Sequence, residues 1–179
     1  MLQKLAICLI IFFSAILQTA VFSNSFFWGL GPDVMLLLVI VWTAREGFEK
    51  ALFGNILAGF VQDLITFHPV GVHIVTYVLI AFFVSFISKR FLVVARNWRV
   101  FILIMMIIFG TLANNLFLSG LFLIENYFSR IAIGDVPVYF FSGTLLKAII
   151  LNSLFFPLVY FSMKKIESWE FLKTRSKIF

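Results

Sequence analysis

Residues 100–124 read VFILIMMIIFGTLANNLFLSGLFLI, twenty-five positions without one charged side chain. As an α-helix this run rises about 37 Å at 1.5 Å per residue, against a bilayer hydrocarbon core of about 30 Å. Such a run is a membrane span, and the rest of the chain has to be read around it. The 179 residues are 63% hydrophobic and only 12% charged, with a mean hydropathy of +1.10. A soluble domain is usually about 25% charged, so a water-soluble globule is excluded. The 25 Phe run from end to end of the chain instead of gathering into one core segment. The fold class expected is an all-α membrane protein with about six helices.

Working outward, a first span covers residues 2–22. Lys4 ahead of an apolar stretch, and the Gln18-Thr19-Ala20-Val21 sequence, have the look of a secretory signal. The apolar run continues through Val21 and Phe22, however, so the segment is read as an uncleaved first helix. Pro32-Asp33 opens a second run, 34–44; proline suits a first helical turn, and a carboxylate there meets free N–H groups. That run rises only about 18 Å and is expected to extend through Arg45, Glu46 and Gly47, with Arg45 snorkelling to the interface; a half-span is the alternative. The third span is 51–67, ended by the turn His68-Pro69-Val70-Gly71. The fourth is 72–88, the fifth is 100–124 and the sixth 138–163. Residues 1–163 thus form a single transmembrane domain, and 164–179 a basic tail.

Charge sets the orientation. With a cytoplasmic N-terminus, the inside segments hold Lys4, Arg45, Lys50, Lys89, Arg90, Arg96, Arg99, Lys164, Lys165, Lys173, Arg175 and Lys177, twelve of the fourteen basic residues. Only Arg130 lies outside, while Lys147 falls within a span. The reverse orientation violates the positive-inside bias. The net charge of +6 is therefore a topology signal and does not point to nucleic acid. In the tail, Lys and Arg alternate with Ile166, Trp169, Phe171 and Leu172, a pattern that suits an interfacial helix on anionic membrane lipids or a solvated tail. The lone cysteine, Cys8, excludes an internal disulfide.

Polar side chains at membrane depth are costly, so each needs a reason. The third span carries Asn55, Gly59, Gln62 and Asp63, and spacings of four put Asn55, Gly59 and Asp63 on one helix face. The fifth span holds Asn114 and Asn115, and the sixth holds Lys147 and Asn152. Together with Asp33 these form a candidate cluster, mostly in the outer half, for partner binding or for structure. Amides at such positions ordinarily join helices. Asp33 reads as a helix cap, His68 and His73 as interfacial, and Asp63 as either one half of a structural pair with Lys147 or a partner site. No zinc-protease helix, nucleotide-binding glycine loop or serine elbow occurs, so neither catalysis nor a cofactor is expected. A dyad of Asp33 and Asp63 of the aspartyl-protease kind has nothing local in its favour.

Pro32-Asp33 with its aliphatic run, Arg45-Glu46-Gly47, Gly59-x-x-x-Asp63-Leu64 with Gly71 eight residues on, and Asn152-x-x-x-x-Pro157 before a basic tail resemble the MreD family of rod shape-determining membrane proteins. Asn55 departs from the pattern, standing where a small residue is expected. The resemblance implies a non-enzymatic scaffold in the bacterial inner (cytoplasmic) membrane. It would bind MreC and link MreB filaments to the peptidoglycan synthases of the rod complex, so that cell shape is maintained. It also suggests a helix arrangement similar to the substrate-binding S components of energy-coupling-factor vitamin transporters. Such a subunit is the alternative function.

The topology is testable by cysteine labelling. With Cys8 replaced, cysteines at Ser23 and Asn126 should react with an impermeant thiol reagent in intact cells, and one at Asn97 should not. Labelling at Asn97 alone overturns the orientation.

Overall fold

The computed structural model describes residues 2–21, 31–66, 69–91, 99–129 and 143–175. It holds six helices and, among these residues, no strand: α1 (Leu2–Ile16, continued by a wide π-type turn, Leu17–Val21), α2 (Val34–Glu46), α3 (Phe48–Thr66), α4 (Val72–Phe91), α5 (Arg99–Ser129) and α6 (Gly143–Arg175). His68, Arg96 and Arg130, and the expected start of the sixth span at residue 138, lie outside the described residues.

Helix α2 organises the rest. Every residue from Val34 to Thr43 is buried, and each of the other five helices packs against it. Around it the neighbours run α1, α3, α4, α5, α6. An all-round apolar helix is at home inside a protein or in lipid, so hydrophobicity alone does not place α2 at the centre. Its length does. Thirteen residues rise only about 20 Å, short of an average hydrocarbon core. Helix ends that stop short of water must find their hydrogen-bond partners in protein. The expected extension ends at Glu46, with Gly47 in a positive-φ conformation (83°) donating its N–H to Thr43 O. That single residue turns the chain directly into α3.

Segments of α4 (Val72–Arg90), α5 (Phe101–Leu121) and α6 (Leu145–Lys165) are each long and apolar enough to cross a membrane, and α1 contains a shorter apolar stretch, Ile7–Ala20. The outer surface of the bundle is apolar. Phe12, Phe13, Phe53, Phe60, Phe82, Phe83, Phe86, Phe101, Phe109 and Phe161 are all exposed, whereas Phe156 is the one phenylalanine in the buried core among the described residues. The phenylalanines therefore clothe the bundle, as a bilayer solvent allows. Beyond its apolar part, α6 runs on through Lys164 and Lys165 to Arg175, so most of the expected basic tail has helical backbone.

Close packing depends on small residues where helices touch. A Cβ at Gly59 would lie 2.6 Å from Ile74 Cα, so α3 and α4 meet there backbone to backbone. One at Gly54 would strike the Trp42 ring at 2.8 Å. Ala51 and Ala58 lie on the same buried face of α3. Without a hydrophobic drive between helices in lipid, such contacts supply much of the association.

Gly59→Val should therefore destabilise the purified protein in detergent by about 1–3 kcal/mol through overpacking. Gly120→Ala, where the added Cβ meets nothing within 4 Å, should be neutral or stabilising. Equal melting temperatures for the two variants would contradict the α3–α4 contact.

Candidate functional site: a polar belt at the start of α2

The first turn of α2 leaves N–H groups that the helix cannot satisfy. Asp33 is the cap, its Oδ1 accepting from Leu36 N at 2.9 Å. Pro32, expected within the first turn, lies just outside it, because the cap position falls on Asp33. Met35 N donates to Gln18 Oε1 (3.2 Å), which brings the end of α1 against the start of α2. Val34 N donates to Pro32 O. Asp33's own N–H donates to Asn152 Oδ1 (2.7 Å), and Asn152 Nδ2 donates to Thr111 Oγ1 (3.0 Å), fastening α6 to α2 and α5. Around the same carboxylate, Tyr77 OH donates to Oδ1 and Asn114 Nδ2 to Oδ2, both at 3.4 Å. Gln62 of α3 joins through its Oε1, which accepts from Gln18 Nε2 at 3.3 Å. Side chains of α1, α3, α4, α5 and α6 thus converge on one helix start.

Asp63 makes a second, adjoining arrangement. It is fully buried, with Oδ2 accepting from Gly71 N (2.7 Å) and Oδ1 accepting from His73 N (2.9 Å) and contacting His73 Nδ1 at 2.7 Å. Gly71, at φ 117°, provides the turn geometry that a side-chain-bearing residue rarely adopts. The carboxylate therefore locks the α3–α4 turn. Tyr77 links the two arrangements, since its ring packs edge-on against His73 (5.7 Å between centroids) while its hydroxyl reaches Asp33.

Two expectations need correction. Asp63 is held by His73, and the expected pair with Lys147 does not form, because α3 packs against α1, α2 and α4 while α6 packs against α2 and α5. Lys147 is exposed on α6. His73, expected at the interface, is buried at 3% exposure because it must reach that carboxylate. The remaining cluster residues divide. Asn55, Gly59 and Asp63 share the buried face of α3, and Asn55 Nδ2 donates to Thr43 Oγ1 (2.9 Å) on α2. Asn114 and Asn152 join helices, but Asn115 donates to Thr111 O in its own helix. Asn55 Oδ1 and Asn114 Oδ1 are buried acceptors without a partner among the described residues.

Gln18, Thr43, Tyr77 and Thr111 were not singled out from the sequence. Gln18 carried a signal, as an amide near the end of an apolar span; hydroxyls in membrane helices are too common to stand out. Serines seal the far end of α2: Ser88 Oγ donates to Ala44 O, and Ser85 Oγ accepts from Phe48 N at the start of α3. There too, the Arg45 guanidinium lies over the Tyr160 ring, 5.2 Å from its centre. Asp33 and Asp63 have separate partners and share no contact of the kind a proton-sharing dyad requires. The arrangement supports positioning by hydrogen bonds.

Removing one partner of a buried bond costs about 1–3 kcal/mol. Asp63→Leu and His73→Leu should each destabilise by at least that much, and a double-mutant cycle should give a coupling above about 1 kcal/mol. The corresponding Asp63–Lys147 cycle should be additive. Coupling found only in the second cycle would reverse the assignment.

A family model described as rod shape-determining protein MreD matches residues 1–166, which takes in α1 to α5 whole and most of α6. Comparison with curated proteins and with solved structures gives no match. The match covers both capped ends of α2, the locked α3–α4 turn and Asn152, and by it the chain belongs to the MreD family of rod shape-determining membrane proteins.

Proposed function

We propose that this protein is a non-enzymatic scaffold of the bacterial elongation complex. It sits in the inner membrane as six spans with both termini cytoplasmic, binds MreC, and helps link MreB filaments to the peptidoglycan synthases. The family match carries this reading and favours it over the vitamin-transporter subunit. The distribution of basic residues supports the orientation. The similarity of arrangement to transporter S components belongs to the same proposal and rests on size, helix number and the placement of basic residues.

The polar belt fits a scaffold. Its carboxylates and amides are largely engaged in joining helices, which gives a bundle of defined shape from which surfaces can be presented. Asp63, being fully buried, acts on a partner only by fixing the turn that includes the exposed Val70. Lys147 is exposed on α6 beside Leu146 and Ile150, and that exposure supports a role for it in contacting a partner segment.

The two roles separate experimentally. Lys147→Leu should reduce MreC co-purification by more than any accompanying loss of melting temperature accounts for. Asp63→Leu should lower both, and cells depending on it should round up. If depletion of the protein leaves rod-shaped cells unaltered, the scaffold reading fails.

A further inference from the structure

The start of α2 borders a cavity. The cavity has a volume of about 360 Å³ and is lined by Gln18 and Thr19 of the α1 end, Pro32 and Asp33, and Gln62 and Thr66 of α3. That is within the usual range for a small-molecule site, about 300–1,000 Å³. We propose that this cavity binds an uncharged, hydroxyl-bearing ligand: the sugar headgroup of a glycolipid, or a free sugar of the same kind.

The lining chemistry selects that class. Two amides and two hydroxyls offer donors and acceptors in mixture, which suits groups that both give and take hydrogen bonds. Among the described residues no Lys, Arg or His lines the cavity, so a phosphate or carboxylate would meet the Asp33 carboxylate with no counter-charge from them. A cation is poorly served too, since the Asp33 oxygens are already engaged by Leu36 N, Tyr77 OH and Asn114 Nδ2, and the positive end of the α2 dipole lies behind them.

Gln62 supplies hydrogen-bond donors to the cavity. It is only 4% exposed, and its Oε1 accepts from Gln18 Nε2. Its Nε2 finds no partner among the described residues. Gln62 lines the cavity, so these two donors are available to an occupant. Thr66 Oγ1, one turn on, donates to Gln62 O and keeps its acceptor lone pairs for an occupant. The cavity thus presents donors at Gln62 and an acceptor at Thr66, a complement for adjacent hydroxyls.

The test uses the full chain in nanodiscs of phosphatidylethanolamine and phosphatidylglycerol, open on both faces and so indifferent to topology or partners. Glucosyl-diacylglycerol is added to the lipid in one arm and free glucose to the solution in the other, with thermal unfolding and native mass spectrometry as readouts. A saturable rise in melting temperature with bound sugar is expected: in the glycolipid arm alone for a headgroup site, in both arms for a free-sugar site. Gln62→Leu and Thr66→Val should each weaken it about fivefold, the worth of one hydrogen bond of about 1 kcal/mol, with helical content unchanged by circular dichroism. The proposal is overturned if neither sugar binds, if both variants bind as the parent does, or if phosphatidylglycerol is retained in the cavity instead.

Discussion

A thirteen-residue helix cannot reach water at both ends of a bilayer, and α2 is such a helix. Each N–H of its first turn and each C=O of its last is an obligatory hydrogen-bonding group, and lipid offers nothing to bond with. The surrounding protein answers that demand. Asp33, Gln18 and Pro32 accept from the N–H groups of the start, and Gly47 and Ser88 donate to the Thr43 and Ala44 carbonyls at the finish. The five other helices are where they are partly because one or more of their side chains must arrive at α2.

The same demand explains why polar residues survive at membrane depth here. Asn114 and Asn152 would each be costly facing lipid, yet one donates to the Asp33 carboxylate and the other accepts from its N–H. Individual interhelical bonds in membranes are modest, about 0.6 kcal/mol on average. Gathered on one helix start, they choose a single arrangement among the many that apolar helices in lipid would tolerate. A protein whose family role is to support cell shape gains from that uniqueness more than from raw stability.

The belt also divides the bundle into two chemistries. Toward lipid, Phe and Leu side chains cover α1, α3, α4, α5 and α6. Inside, α3 turns its small and polar residues to its neighbours, so that Gly59 admits the α4 backbone and Asp63 holds the turn between the two helices. At the start of α2, Gln18, Gln62 and Thr66 line a cavity.

Much of this was legible in the residues themselves. Apolar runs mark where the helices lie, because lipid permits little else, and the basic residues suggest an orientation. The Asn55, Gly59, Asp63 spacing places those three on one face, and Pro32-Asp33 marks a helix start. These are local properties, set by helical period and capping chemistry. Which partner each polar group takes is not local. Lys147 and His73 both offer a cation or donor to Asp63 on paper, and only the packing of α3 beside α4 and away from α6 brings His73 within 2.7 Å. Likewise the sequence shows that α2 is short and apolar, but lipid accepts an apolar helix as readily as protein does. Its place at the centre was decided by its unsatisfied ends, through bonds to residues as far along the chain as Asn152.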